Sequence, residues 1–139
     1  MKKSLFKKLL LLIILVSGVY LLQASQSRIK PPTIVNNKGY VISGNNIQFI
    51  YLAAKPVGRV YVVGNFMGWK KQHPAWEMHY DRHQKAYLLT VPMHKVKQPT
   101  RSFYEFTFLV NNRYLDAAKG APNTIYCAGY GYRYVIREL

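Results

Sequence analysis

Acidic residues and cysteine are what this sequence has least of. Five Asp and Glu residues stand against 20 Lys and Arg in 139 residues, with one cysteine, Cys127. A single cysteine cannot close an internal disulfide, so the fold must be held by its own apolar core. Lying in an apolar-aromatic stretch, Cys127 reads as a small buried hydrophobe rather than a reactive thiol. The shortage of carboxylates works against catalysis. Ahead of the penultimate Glu138 the acidic residues are Glu77, Asp81, Glu105 and Asp116. A glycosidase needs two carboxylates opposed across a cleft, whereas Glu77 and Asp81 fall on one expected hairpin and Asp116 reads as a turn residue. The sequence has no G-x-S-x-G elbow, no phosphate-cradling glycine loop and no Cys–His pair at a catalytic spacing. His79 and His83 are four apart but straddle an expected hairpin loop with no third ligand, and His73 and His94 fall in loops. These features predict a protein that is not an enzyme and carries no metal or other cofactor.

Beyond the N-terminal region there is no sustained helical stripe, no internal repeat and no low-complexity segment. The one long apolar run, Leu9–Leu22, follows Lys2, Lys3, Lys7 and Lys8. Lysines that stay cytoplasmic ahead of an apolar helix that enters the bilayer form an export signal. The run is the length of a signal-peptide core, and Leu5, Phe6 and snorkelling lysines can extend it to a thin span. Ala24 follows bulky Leu22 at the small-residue position of a cleavage site; Ser27 follows an acceptable Ser25 there but lies further from the apolar run. No cysteine follows to take a lipid. Residues 1–24 are therefore expected to be a signal peptide or an uncleaved signal-anchor helix, and residues 25–37, including SQSRIKPP, a polar tether. The protein is expected to be membrane-anchored or exported, periplasmic or otherwise extracytoplasmic. Residues 38–139 suffice for one domain and not two.

The net charge is +15. Setting aside the four N-terminal lysines leaves 16 basic residues against 5 acidic, or +11. Such a domain is drawn to anionic partners. The basic residues are scattered or paired, as in Lys70–Lys71, and no nucleic-acid-binding motif accompanies them, so nucleic acid is not the expected partner.

Short runs of β-branched and aromatic residues recur between Gly, Asn and Pro. Gly39–Ser43 and Ile47–Ala54 flank Gly44-Asn45-Asn46, a turn composition. Arg59–Val63 stops at Gly64. Trp76–Tyr80 and Ala86–Val91 flank the polar loop Asp81–Lys85. Phe103–Val110 is the strongest strand signal, Asn111-Asn112 a tight turn, Arg113–Leu115 a short return, and Gly131–Arg137 the closing strand. Seven or eight strands at this spacing predict an all-β sandwich.

Val60-Tyr61-Val62-Val63-Gly64-Asn65-Phe66-Met67-Gly68-Trp69 resembles the V-x-V-x-G-x-F-N-x-W signature of the glycogen-binding domains of carbohydrate-binding module family 48. These include the beta subunit of AMP-activated protein kinase and the N-terminal domains of branching and debranching enzymes. Ala86–Pro92 resembles that family's strand ending in a proline-bearing loop. Phe103–Leu115 resembles its Y-x-Y-K-F-x-V-D-G-x-W hairpin, with Asp116 matching the acidic residue that follows. The resemblance runs from about Ile47 to Asp116 and implies an immunoglobulin-like, early-set β-sandwich. It places Trp69 at the first sugar-stacking tryptophan and Tyr114 at the second. Thr107 stands where the family has a hydrogen-bonding lysine, Asn111-Asn112 replaces Asp-Gly, and the family's late asparagine has no match among Tyr130–Tyr134. Half of that site is absent, which argues for the fold but against glycogen as ligand.

The physics of the motif is independent of the resemblance. Gly64 permits a sharp strand end, Phe66 is expected to plug the core, and Gly68 frees a turn that presents Trp69. An indole face stacks on the C–H groups of a sugar ring, a contact of roughly 1 kcal/mol by analogy with other aromatic pairs; alternatively, Trp69 folds back onto the sandwich. Tyr130, Tyr132 and Tyr134 alternate on one face of a strand. Either they form an exposed aromatic strip or, the reading preferred here, they line the core while Gly131 and Arg133 face out. The candidate glycan-binding residues are Trp69 and Tyr114 as platforms, Lys70, Lys71 and Arg113 beside them in sequence, and Tyr132. The expected partners are a polysaccharide or anionic glycan, the membrane through the N-terminal segment, and an envelope protein. The competing expectation is a structural, protein-contact domain with no sugar ligand.

Overall fold

The computed structural model describes residues 37–139; the expected export or anchor segment and all of the tether except Asn37 lie outside the described residues. Nine antiparallel strands make up the described part: β1 (Tyr40–Ser43), β2 (Asn46–Leu52), β3 (Val60–Gly64), β4 (Glu77–Asp81), β5 (Ala86–Pro92), β6 (Tyr104–Val110), β7 (Arg113–Tyr114), β8 (Thr124–Cys127) and β9 (Gly131–Ile136). Three single-turn 3-10 helices, Asn65–Met67, Pro74–Trp76 and Met93–Lys95, interrupt them. Among the described residues no helix is long and apolar enough to cross a membrane. All eight expected strand segments are present within a residue or two. β8 is an addition: TIYC is made of β-favouring residues but is only four residues long, follows Pro122-Asn123 and pairs with β9 alone.

The strands form one curled sheet in the order β1-β2-β5-β4-β3-β6-β9-β8, with β7 paired to β6. β4 makes the bend. Its first residues pair with β3 (Val60↔Met78, Tyr61↔Glu77) and its last with β5 (Tyr80↔Tyr87, Asp81↔Ala86). The curl brings β2 over β6, where Phe49 and Phe106 meet edge-on at 5.0 Å and Tyr51 reaches Phe108 at 5.4 Å. Between these parts lies the core, which holds Ile47, Phe49, Val60, Val62, Phe66, Trp76, Phe106, Phe108, Tyr134 and Ile136. Phe66 plugs it as expected, 5.0 Å from Trp76. The Asn111-Asn112 turn has both residues at positive φ, 47° and 65°. Asn111 fastens the turn by accepting from Arg59 N at 3.3 Å and donating to Val57 O at 2.6 Å.

Three surface carboxylates sit below the usual carboxylate range. The Arg59 guanidinium, paired at 2.9 Å, lowers Glu77. The backbone N–H groups of Gln84 and His83 lower Asp81. The Tyr40 hydroxyl, and after it Lys38, lowers Glu138. A carboxylate whose folded-state pKa is depressed adds stability above its unfolded value, near 4, and loses it as pH falls through the folded value. The expected melting temperature is level from neutral pH to about 5 and declines below about 4. All three groups are solvent-accessible, so each contribution is small. Thermal melts across this range should show Glu138→Gln with a shallower acid decline than wild type.

Candidate functional site

The site is built where β3 stops. Gly64 ends the strand against the backbone of β6, and the 3-10 turn Asn65–Met67 follows. Asn65 Oδ1 accepts from Glu105 N at 3.2 Å, and Gln98 Nε2 donates to Phe66 O at 2.9 Å, tying the turn to β6 and to the segment after β5. Gly68 closes it in the left-handed region at φ 67°. Trp69 follows at φ 58°, with its N–H donating to Gly64 O at 3.0 Å. A bulky side chain in this region is strained by roughly 1–2 kcal/mol, and strain held by surrounding contacts is concentrated at functional sites.

The indole is neither fully exposed nor enclosed. It is half-buried and packs on Tyr61, Val63 and Leu109, a small second cluster on the face of β3 and β6 away from the main core. Tyr114, from β7 beside Leu109, rises next to it and is 39% exposed. Together with Glu105, Cys127, Tyr130 and Arg133, these two rings line an open cavity of about 450 Å³. Cavities of this size hold small ligands or one or two sugar units.

Arg133 occupies the middle of this ring of aromatics. Its guanidinium carbon lies 5.1 Å from the Trp69 ring centre, 5.3 Å from Tyr114 and 5.9 Å from Tyr130. The residue is 5% exposed, and among the described residues Nη1 has no hydrogen-bond partner. The expectation that Arg133 faces out therefore needs correction. It does lie on the outer face of β9, but Trp69, Tyr114 and Tyr130 close over that face and bury it. Tyr130, Tyr132 and Tyr134 do not act together either. Tyr134 is in the core, 5.1 Å from Phe106 and stacked on it. Tyr132 shares its side of β9 but lies where the core ends; it is 52% exposed and pairs with Tyr126 of β8 at 5.3 Å. Tyr130 precedes the strand and turns to the cavity.

Of the residues singled out from the sequence, Trp69 and Tyr114 come together. Lys71 joins them, its Nζ 4.8 Å from the Tyr114 ring centre. Lys70 and Arg113 are exposed beside the site without lining it, and Tyr132 points away from it. Cys127 is half-buried in the cavity wall, not enclosed, and its thiol stays neutral because burial, with Glu105 beside it, pushes its pKa up. Asp116 lies in the irregular segment after β7, not in a turn as expected, and ties that segment to β9 by accepting from Tyr132 N at 3.2 Å. Sequence reasoning passed over Arg133, Tyr130 and Glu105. Strand alternation placed Arg133 facing out, and only the fold shows that its side of β9 adjoins Glu105 of β6 under one aromatic cover. Among the described residues no group of three or more His, Cys, Asp and Glu side chains is arranged to hold a metal ion. Compared with known proteins, the chain matches no protein-family model and no curated relative.

Proposed function

We propose that residues 38–139 form a non-catalytic carbohydrate-binding module of the immunoglobulin-like, early-set type, tethered by the N-terminal segment to the outer side of a bacterial-type cytoplasmic membrane. One observation carries the binding function: Trp69 and Tyr114, far apart in sequence, converge on one open cavity with a basic rim. The resemblance of Val60–Trp69 and Phe103–Leu115 to family 48 modules supports the fold type, since the two stretches supply the adjacent strands β3 and β6, with Trp69 in the turn after β3 and Tyr114 on β7, paired to β6. The lysine-flanked apolar run supports the tether, and the +11 balance supports an anionic partner over a neutral one.

A glycan array with wild type and Trp69→Ala tests the platform. Losing one stacking face is expected to weaken binding roughly five- to tenfold, in keeping with about 1 kcal/mol per aromatic contact. Equal binding by the two proteins would remove Trp69 from the site.

A second reading has its own observation. β8 is a sheet edge and carries exposed Tyr126, at 63%, next to exposed Tyr132. An edge with surface aromatics suits strand addition by an envelope protein, with the basic surface lying against lipid head groups. Tyr126→Ser separates the two readings: it weakens capture of such a partner and leaves glycan binding intact, because Tyr126 packs on Tyr132 and does not line the cavity.

A further inference from the structure

We infer that the cavity reads a carboxylate, with Arg133 as the residue that recognises it, so that the ligand class is a uronic-acid-containing polysaccharide. This rests on the sugar platform of Trp69 and Tyr114 and adds to it the chemical group that is recognised.

Burying a guanidinium without an ionic partner is costly, and a buried donor left unpaired adds to that cost. Arg133 has both features. It is 5% exposed, its Nη1 is unpartnered among the described residues, and the ion pairs found there are Lys38–Glu138 and Arg59–Glu77. Glu105 is the one carboxylate among the lining residues, and it reaches Cys127 Sγ at 3.9 Å instead of pairing with Arg133. Three aromatic faces repay part of the desolvation through cation–π attraction. They leave Nη1 without a hydrogen-bonding complement among the described residues.

A carboxylate is that complement. It is planar and matches the fork with two parallel hydrogen bonds. A sulfate or phosphate ester takes the same fork but stands off the sugar ring through an ester oxygen. A uronic acid carries its carboxylate on the same ring whose C–H face stacks on an indole, so Trp69 and Arg133 would engage adjacent parts of one sugar. Nη1 is shielded from water, so the ligand must displace a ring to reach it. Tyr130 is the ring placed to give way: it is 72% exposed and lies between Gly129 and Gly131, both at positive φ.

Calorimetric titration of the exported domain with a short oligogalacturonate, and with the neutral chain made by reducing its carboxyl groups, tests this. At about 0.15 M salt, where diffuse attraction is screened over roughly 8 Å, wild type is expected to prefer the acidic chain by roughly tenfold or more. Arg133→Gln is expected to erase the preference while still binding the reduced chain. Arg133→Lys, which keeps the charge but loses the fork, is expected to restore only a fraction of it. The carboxylate reading is overturned if wild type binds both chains equally, if it prefers a sulfated chain, or if Arg133→Lys is as selective as wild type. Should Arg133→Gln fail to fold, judged by circular dichroism, the wild-type and Arg133→Lys comparisons still decide. Failure of the platform itself looks different: Trp69→Ala then leaves binding of the acidic and reduced chains alike unchanged, or wild type binds neither.

Discussion

Phe106→Ala is expected to destabilise the domain by about 3–5 kcal/mol, a large part of the 5–15 kcal/mol that holds an ordinary domain together. Phe106 is fully buried at the centre of β6. Its ring meets Phe49 at 5.0 Å, Tyr134 at 5.1 Å, Phe108 at 5.8 Å and Tyr40 at 6.0 Å, so rings from three other strands converge on it. Truncation loses the burial of the ring and leaves a cavity that Tyr134 and Tyr40 cannot collapse into, because both are pinned elsewhere. The Tyr134 hydroxyl oxygen accepts from Ala118 N at 2.8 Å, and Tyr40 is tied to Glu138. With no disulfide to limit the unfolded chain, nothing offsets the loss. Urea unfolding is expected to show a lower midpoint at an unchanged slope. A change under 1 kcal/mol would mean that the two parts of the curled sheet do not depend on this ring.

The strands were legible in the sequence because the turn chemistry between them is local. Gly44 and the pair Asn111-Asn112 adopt the positive φ values that their composition implied, and the run FYEFTFLV alternates Tyr104, Phe106 and Phe108 inward against Glu105, Thr107 and Leu109 outward. The cavity was only half legible. Trp69 and Tyr114 could be named from motif and hairpin, but their meeting depends on β3 and β6 being neighbours. Arg133 was misread for a physical reason. Alternation tells which side of a strand a residue takes, and a charged residue opposite Tyr134 is normally in water. Here the outer side is itself covered, because the 65–69 turn folds back over β6 and Tyr130 closes from the β8–β9 turn. Tyr132 was misjudged in the opposite sense. It shares a face with Tyr134, yet that face runs past the end of the core, and no strand pattern records where a core stops.

Gly64→Ala is expected to cost about 1–3 kcal/mol and to damage the site along with the fold. The glycine is extended, so its backbone tolerates any residue; the obstacle is space. A Cβ there would stand 2.5 Å from the Phe66 ring and 2.6 Å from the Glu105 carbonyl oxygen. The ring can shift only by disturbing its packing on Trp76, and the carbonyl belongs to β6 in the ladder that pairs Gly64 with Phe106. Separation of β3 from β6 at this point also pulls on Trp69, whose N–H is held by Gly64 O, and on Asn65, which holds Glu105 N. The expected signature is therefore double: a lower unfolding midpoint, and a displaced Trp69 indole N–H resonance in protein that is still folded. Combining the change with Phe66→Leu separates the two obstacles. If the ring were the whole problem, the double variant would regain most of the stability. With a backbone carbonyl equally close, it is expected to regain less than half, and the proposed sugar binding is expected to stay weakened because the turn that aims the indole remains displaced.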